Sequence, residues 1–304
     1  MSQPNKQPTW NPGQYLKFAG QRMRPALDLL NQVDLEAPGV VYDLGCGPGN
    51  VTPFLMGRWP EARHIGVDSS DQMLEKARAE HPTGEWVKAD AKTWTPDAPA
   101  ELIYSNAALQ WVDGHAELFP RLMDQLAPGG VLAVQMPHNH AAPSHMGMRE
   151  VVEAGPWRDK LLPVMREFPV GDPEVYYDLI APKAANLNLW ETTYAQIMEG
   201  DNPIAEWTKG SALKPLLDAL TDPDENAEFF DTYSKAMQAA YPKQSDGKTI
   251  FHFRRLFIVA IAIFTLASIG CAFAGDFWTF VVFRAAHGLG GGGLMILSQA
   301  IIAD

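Results

Sequence analysis

The apolar run Gly-Val-Val-Tyr-Asp-Leu ends in Gly-Cys-Gly-Pro-Gly at residues 45–49. Three glycines in five residues let a chain leave a strand, turn sharply and bring its backbone close to a ligand. The sequence beyond the loop alternates accordingly. "HIGVDSS" reads as strand, residues 71–79 as helix, "EWVKAD" as strand, and "ELIYSNAALQW" as a strand running into a loop. Residues 115–126 read as helix, "APGG" as a turn and "VLAVQMP" as strand. Such alternation predicts an α/β fold, a Rossmann-like sheet with helices on both faces. Residues 12–30 carry Leu16, Phe18, Met23, Leu27 and Leu30 at helical spacing. Residues 145–240 read as mostly helical, interrupted by a strand over "NLNLWETTYAQI".

The loop spacing is Gly-x-Gly-x-Gly with Pro48 inside it. A dinucleotide fold wants Gly-x-Gly-x-x-Gly, with a helix N-terminus on a pyrophosphate. Asp43 stands inside the end of the apolar strand, where a carboxylate is costly unless it accepts hydrogen bonds. An acid there suits a cationic ligand better than a phosphate. Asp68 closes the next strand about 20 residues on, where it can take both ribose hydroxyls of a nucleoside. The formal charge of −12 over 304 residues argues against a nucleic-acid partner. A small anion remains admissible, because a local basic pocket can sit in an acidic protein. Two cysteines, Cys46 and Cys271, give no disulfide framework and point to a reducing compartment. With a polar, Pro-rich amino-terminal segment that has no apolar export stretch, a cytoplasmic location is expected.

The glycine loop resembles motif I of the class I S-adenosylmethionine-dependent methyltransferases. That resemblance implies S-adenosyl-L-methionine as cofactor. It implies that Asp43, Gly45, Cys46 and Gly47 hold the methionine part and that Asp68, with Ser69, holds the ribose. Asp90 of "VKADA" would meet the adenine amino group, and Asn106 of "YSNAALQW" would lie over the sulfonium.

The likeness extends further. "WNPGQYLKFAGQRMRPALDLL", "NAALQWVDGHAELFPRL", "GVLAVQMPHN", "HMGMREV", "VYYDLIAP", "LWETTYAQIMEG" and "FRRLFIVA" follow in order. Together they are similar to the trans-aconitate 2-methyltransferase family over residues 10 to 259. The family esterifies one carboxylate of trans-aconitate, so the implied activity is carboxyl O-methylation. Another small carboxylic acid is the alternative acceptor. A carboxylate is ionised at neutral pH and is itself the nucleophile. No catalytic residue is therefore required, and rate comes from alignment and exclusion of water.

Cations and donors must orient the acceptor, and arginine suits carboxylates through its planar fork. Arg22 and Arg149 lie in acceptor-side segments that match the family; Arg24, Arg254 and Arg255 are further cations. Trp111 and His115 follow the strand that ends at Asn106. Tyr177 or its neighbour Tyr176 would donate a hydroxyl, the other belonging to the core. His138, His140 and His145 have no metal-ligand spacing and read as loop histidines, so no metal is expected. His138 stands where the family's "MPDN" carries aspartate. A monomer acting on a small anionic carboxylate is the expectation.

Residues 260–304 differ in composition, with Asp276, Arg284 and Asp304 as their only charged residues. The domain is accordingly bounded at 1–259, with a helical acceptor-side insertion over 140–245 and an apolar tail after it. The tail resembles two adjacent transmembrane helices of a major facilitator superfamily drug antiporter, Arg284 and Gly288 matching its Arg-x-x-x-Gly signature. A span needs about 20 apolar residues. Residues 256–274 supply 19, but only by taking "LFIVA" away from a terminal antiparallel strand. That strand is expected to stay in the sheet, because its loss would expose a neighbour's edge. An accidental fusion, a membrane anchor (and hence membrane association) and a packed helical pair all stay open for the tail.

Overall fold

The computed structural model describes residues 23–166, 169–210, 212–263 and 278. Helix α1 (Arg24–Asn31) precedes strand β1 (Val40–Leu44). Then come α2 (Thr52–Arg58), β2 (Arg63–Asp68), α3 (Asp71–Glu80), β3 (Glu85–Lys88), β4 (Ala100–Asn106), α4 (His115–Asp124) and β5 (Leu126–Pro137). The rest comprises α5 (Pro143–Ala154), α6 (Arg158–Leu161), α7 (Pro173–Ile180), β6 (Ala184–Met198), α8 (Pro203–Lys209), α9 (Lys214–Ala219), α10 (Pro223–Ala240) and β7 (Thr249–Ala262).

Seven strands form one mixed sheet in the order β3-β2-β1-β4-β5-β7-β6. The first five pair in parallel. Val41–Leu44, Ile65, Val67, Leu102–Tyr104 and Val131–Val134 are all buried, as strands covered on both faces must be. In β6 and β7 the contacts run in opposite chain directions, Lys183 meeting Ile263 and Trp190 stacking on Phe257. The two strands are therefore antiparallel.

The chain divides into two compact units. The first comprises the described residues up to Met136, Gly171–Trp190 and those from Phe257 on. The second comprises Pro137–Val170 and Glu191–Leu256. The expected continuous insertion over 140–245 is thus interrupted, because α7 and the first part of β6 return to the first unit. Apolar spacing gives a helix its buried face without saying which neighbour covers it. The second unit has its own core, with Trp157 edge-on to Phe229 and Phe251 edge-on to Phe253.

"APGG" is not a turn between elements but part of β5. Ala100 pairs with Leu126 and Leu102 with Val131, so the Pro-Gly-Gly stretch is absorbed as an irregularity in the ladder. A side chain on Gly130 would lie 2.6 Å from the Ala100 carbonyl oxygen, which explains the glycine. The helix expected over 115–126 stops at Asp124 for the same reason, since Leu126 already belongs to β5.

"LFIVA" stays in the sheet: Leu256–Ala260 are buried within β7, which continues to Ala262. Residues 256–274 are therefore not available as one helix. Apart from Trp278, the tail beyond Ile263, and residues 12–22 of the expected first helix, lie outside the described residues. Among the described residues no helix is long and apolar enough to cross a membrane.

Candidate active site

In a sheet of this order the chain leaves β1 and β4 in opposite directions, and ligands settle at the carboxyl ends of strands at such a switch point. The glycine loop follows β1 there. Gly45 has φ +76°, and a Cβ on it would fall 2.2 Å from the Ala108 Cβ. Only glycine permits both the left-handed turn and the contact with the β4 loop.

The loop is tied down by its own donors. Gly45 and Cys46 N–H donate to the Val67 carbonyl at 2.7 and 3.0 Å. The Gly47 N–H donates to Asp68 Oδ2 at 2.9 Å. Asp68 Oδ1 accepts from Ser70 N–H at 2.8 Å, and Ser70 Oγ caps α3 by accepting from Met73 N–H. Donors that a phosphate-binding loop would aim at its ligand are spent inside the protein.

These residues border a cavity of about 590 Å³. Gly45, Gly47, Asp68 and Ser69 line one part of it, Asp90 and Lys92 another, and Ala107–Asp113 contribute Ala107, Ala108, Leu109, Trp111, Val112 and Asp113. Asp90 Oδ1 accepts from Lys92 N–H at 2.8 Å, a local turn that holds its carboxylate in place. Three aspartates against one lysine leave the lining negative, which favours a ligand carrying positive charge. Ala107 is the one non-glycine residue with positive φ among the described residues, at +52°. Gln110 Nε2 donates to its carbonyl at 2.7 Å and fixes that strained turn. Asn106 ends β4 beside it, with a buried Oδ1 that finds no hydrogen-bond partner among the described residues.

Asp43 and Cys46 sit behind this surface rather than on it. Asp43 is 4% exposed, with Thr52 Oγ1 donating at 3.5 Å. Burial, with the nearby Asp68 charge adding, raises its carboxyl from 3.8 to about 7 against the pull of Thr52. Burial also pushes the Cys46 thiol up, so it is not a nucleophile at neutral pH. A carboxyl raised in the folded state keeps a proton that the unfolded chain has already released. Stability therefore falls as pH rises from about 4 through about 7, by about 4 kcal/mol in all. In cofactor-free protein, Asp43→Asn should raise the melting temperature at pH 8 and converge on the parent below pH 4. Calorimetry at the two pH values checks this, and equal melting temperatures at pH 8 would refute it.

Of the acceptor-side residues, Trp111 lines the cavity and is 46% exposed. His115 is buried with both ring nitrogens engaged, Nε2 on the Leu109 carbonyl and Nδ1 on the Tyr176 hydroxyl. Both nitrogens are thus occupied by groups of the protein itself. Tyr176 is wholly buried, and Tyr177 is exposed. Arg149 belongs to the second unit, on α5, where it pairs with Glu153 at 3.5 Å. Arg22 lies outside the described residues. Also in the second unit, His138 Nδ1 lies 2.5 Å from Glu191 Oε1, and Glu191 takes Arg254 on its other oxygen. Burial acts to raise the Glu191 carboxyl, but the bonds from Arg254 and His138 outweigh it and hold the carboxyl low. Lys92, Asp113 and Ala107 were not anticipated from the sequence. Their one signal is adjacency to Asp90 and to the loop after Asn106.

Sheet, glycine loop and acid-lined cavity define a class I methyltransferase. Residues 41–130 match the family model described as a methyltransferase domain. The chain is 49% identical over 254 residues to a trans-aconitate 2-methyltransferase from Azoarcus sp. (strain BH72), covering 84% of this chain and 99% of that one. It is 48% identical over 267 residues to a trans-aconitate 2-methyltransferase from Streptomyces coelicolor, covering 84% and 88%. Among solved structures, the YcgJ protein from Bacillus subtilis is similar in fold, with a TM-score of 0.50 at 14% identity over 78% of this chain and 97% of that one. The chain belongs to the trans-aconitate 2-methyltransferase family.

S-adenosyl-L-methionine is the cofactor of this class, and the residues fit it. The lining is negative, which suits the ammonium and sulfonium charges of the cofactor's methionine end. Asp68 and Asp90 put carboxylate acceptors on the cavity lining, and a nucleoside is rich in hydroxyl and amino donors.

Proposed function

We propose that this chain transfers the methyl group of S-adenosyl-L-methionine to a carboxylate of trans-aconitate, giving the monomethyl ester and S-adenosylhomocysteine. The observation that carries this reading is the 49% identity across 99% of a trans-aconitate 2-methyltransferase, on a chain that keeps an acid-lined cavity at its glycine loop. When bound, the cofactor supplies an electrophilic sulfonium methyl. The chain's own residues bind, orient and exclude water. Asp68, with Ser69, would hold the ribose and Asp90 the adenine amino group, while Gly45 and Gly47 would lie along the methionine part. Asn106, at the end of β4 just before the cavity-lining Ala107, would lie near the cofactor's sulfonium. Asp43, behind the loop, would set the charge of that wall.

The acceptor carboxylate is its own nucleophile, so no protein base has to take a proton. Rate then comes from holding oxygen, carbon and sulfur in line. Trp111 and Tyr177, both exposed residues of the first unit, are the groups we assign to orienting the acceptor. On this reading the enzyme is a cytoplasmic monomer and the tail an appendage to it.

The full chain incubated with S-adenosyl-L-methionine and trans-aconitate should form the monomethyl ester, followed by mass, in preference to cis-aconitate and citrate in competition. Ester formed only from another carboxylic acid would retain the fold and cofactor and overturn the acceptor.

A further inference from the structure

Helix α4 starts at His115, straight after Gly114 turns the chain through φ +83°. The imidazole Nε2 lies 3.0 Å from the Leu109 carbonyl oxygen and Nδ1 lies 2.7 Å from the Tyr176 hydroxyl. That hydroxyl lies 3.2 Å from the Gly171 N–H. A carbonyl only accepts, so Nε2 carries the proton. In a neutral ring Nδ1 must then accept, and it takes the Tyr176 O–H. The Tyr176 oxygen in turn accepts from Gly171 N–H. Every bond in the chain therefore has one direction, and all of them need the same tautomer.

His115 is 6% exposed and Tyr176 fully buried, with Phe119 edge-on to both rings. Burial favours the uncharged ring and holds the imidazole below its ordinary value, against the Leu109 and Val112 carbonyls and the Asp113 charge. One end of this chain of bonds is the loop that lines the cofactor cavity through Leu109, Trp111 and Val112. The other is α7, which carries exposed Tyr177 beside Tyr176.

We infer that His115 is a positioning residue: as the neutral Nε2–H tautomer it locks the cavity wall at Leu109 and Trp111 to helix α7, and cofactor affinity depends on that lock. The inference rests on the reading of the cavity as the S-adenosyl-L-methionine site.

Two readouts test it. In cofactor-free protein, nitrogen-15 NMR of the imidazoles, assigned by the signal lost in His115→Gln, should show a neutral Nε2–H ring that protonates at lower pH than an ordinary imidazole. An Nδ1–H tautomer would overturn the inference. By calorimetric titration of S-adenosyl-L-methionine, His115→Phe should raise Kd about tenfold. Tyr176→Phe, which keeps the ring and loses only the hydroxyl, should raise Kd at least threefold and serves if His115→Phe does not fold. His115→Gln, which can still donate to the Leu109 carbonyl, should recover most of the affinity.

Leu27→Val trims the core at α1 and should lower the melting temperature with Kd unchanged. If it raises Kd as much as His115→Phe does, the effect is general loosening and the inference falls. A parent chain that binds while all variants bind equally overturns this inference alone. A parent that binds no cofactor overturns it together with the cavity reading.

Discussion

Replacing Asp68 by alanine is expected to weaken S-adenosyl-L-methionine binding by roughly 1,000-fold, about 4 kcal/mol. Two losses combine. Hydrogen bonds from the ligand's hydroxyls to a carboxylate contribute about 1.5–3 kcal/mol each. The same oxygens accept from Gly47 and Ser70 N–H, so the alanine variant also releases the loop and the start of α3. Asp68→Asn can accept one of those backbone donors but meets the other with an amide N–H. It should therefore recover only part of the affinity. Calorimetric titration of both variants decides the matter. Binding of Asp68→Ala within threefold of the parent would remove Asp68 from the site.

Among the described glycines, Gly45→Ala should be the most damaging single methyl. The left-handed backbone costs an alanine about 1–2 kcal/mol. The new Cβ would stand 2.2 Å from the Ala108 Cβ, and backbone-attached atoms on both sides have no rotamer with which to yield. Overpacking of this kind adds about 1–3 kcal/mol. For a domain of this size the sum lowers the melting temperature by roughly 5–15 °C. Loss of cofactor binding should accompany it, because the cavity wall at Ala107 and Ala108 must move. The double variant Gly45→Ala/Ala108→Gly removes the collision and keeps the backbone penalty, so it should regain about half of the lost stability. No gain in the double variant would place the whole cost in the backbone conformation.

Glycine spacing and a strand-terminal acid are local signals, which is why the loop and Asp68 could be found in the sequence, while Asp90 came from the family resemblance; all three meet around one cavity. The parallel sheet followed from alternation in the same way, whereas its strand order did not. What escaped depended on distant partners. Tyr176 lies 61 residues from His115, and nothing near either residue announces the bond between them. The apolar face of α7 fits a helical insertion as well as it fits the first unit, to which it belongs. Pro-Gly-Gly in "APGG" is chemically a turn, and only pairing with β4 keeps it inside a strand. Asp43 was expected at the ligand because it precedes the loop, yet a strand side chain points to one face, and this one points inward.

The inward-turned donors of the glycine loop bear on competition inside a cell. Adenosine is shared by the methyl donor and by many nucleotides, so on the proposed assignment Asp68 and Asp90 alone would not tell them apart. Nucleotides bring phosphate, which would meet a negative wall and a loop whose N–H groups are already spent on Val67 and Asp68. Selectivity of this sort is achieved by rejecting the wrong ligand as much as by holding the right one. An adenosine site of this construction should be indifferent to the energy charge of its surroundings, and methyl transfer should follow the supply of donor and acid alone.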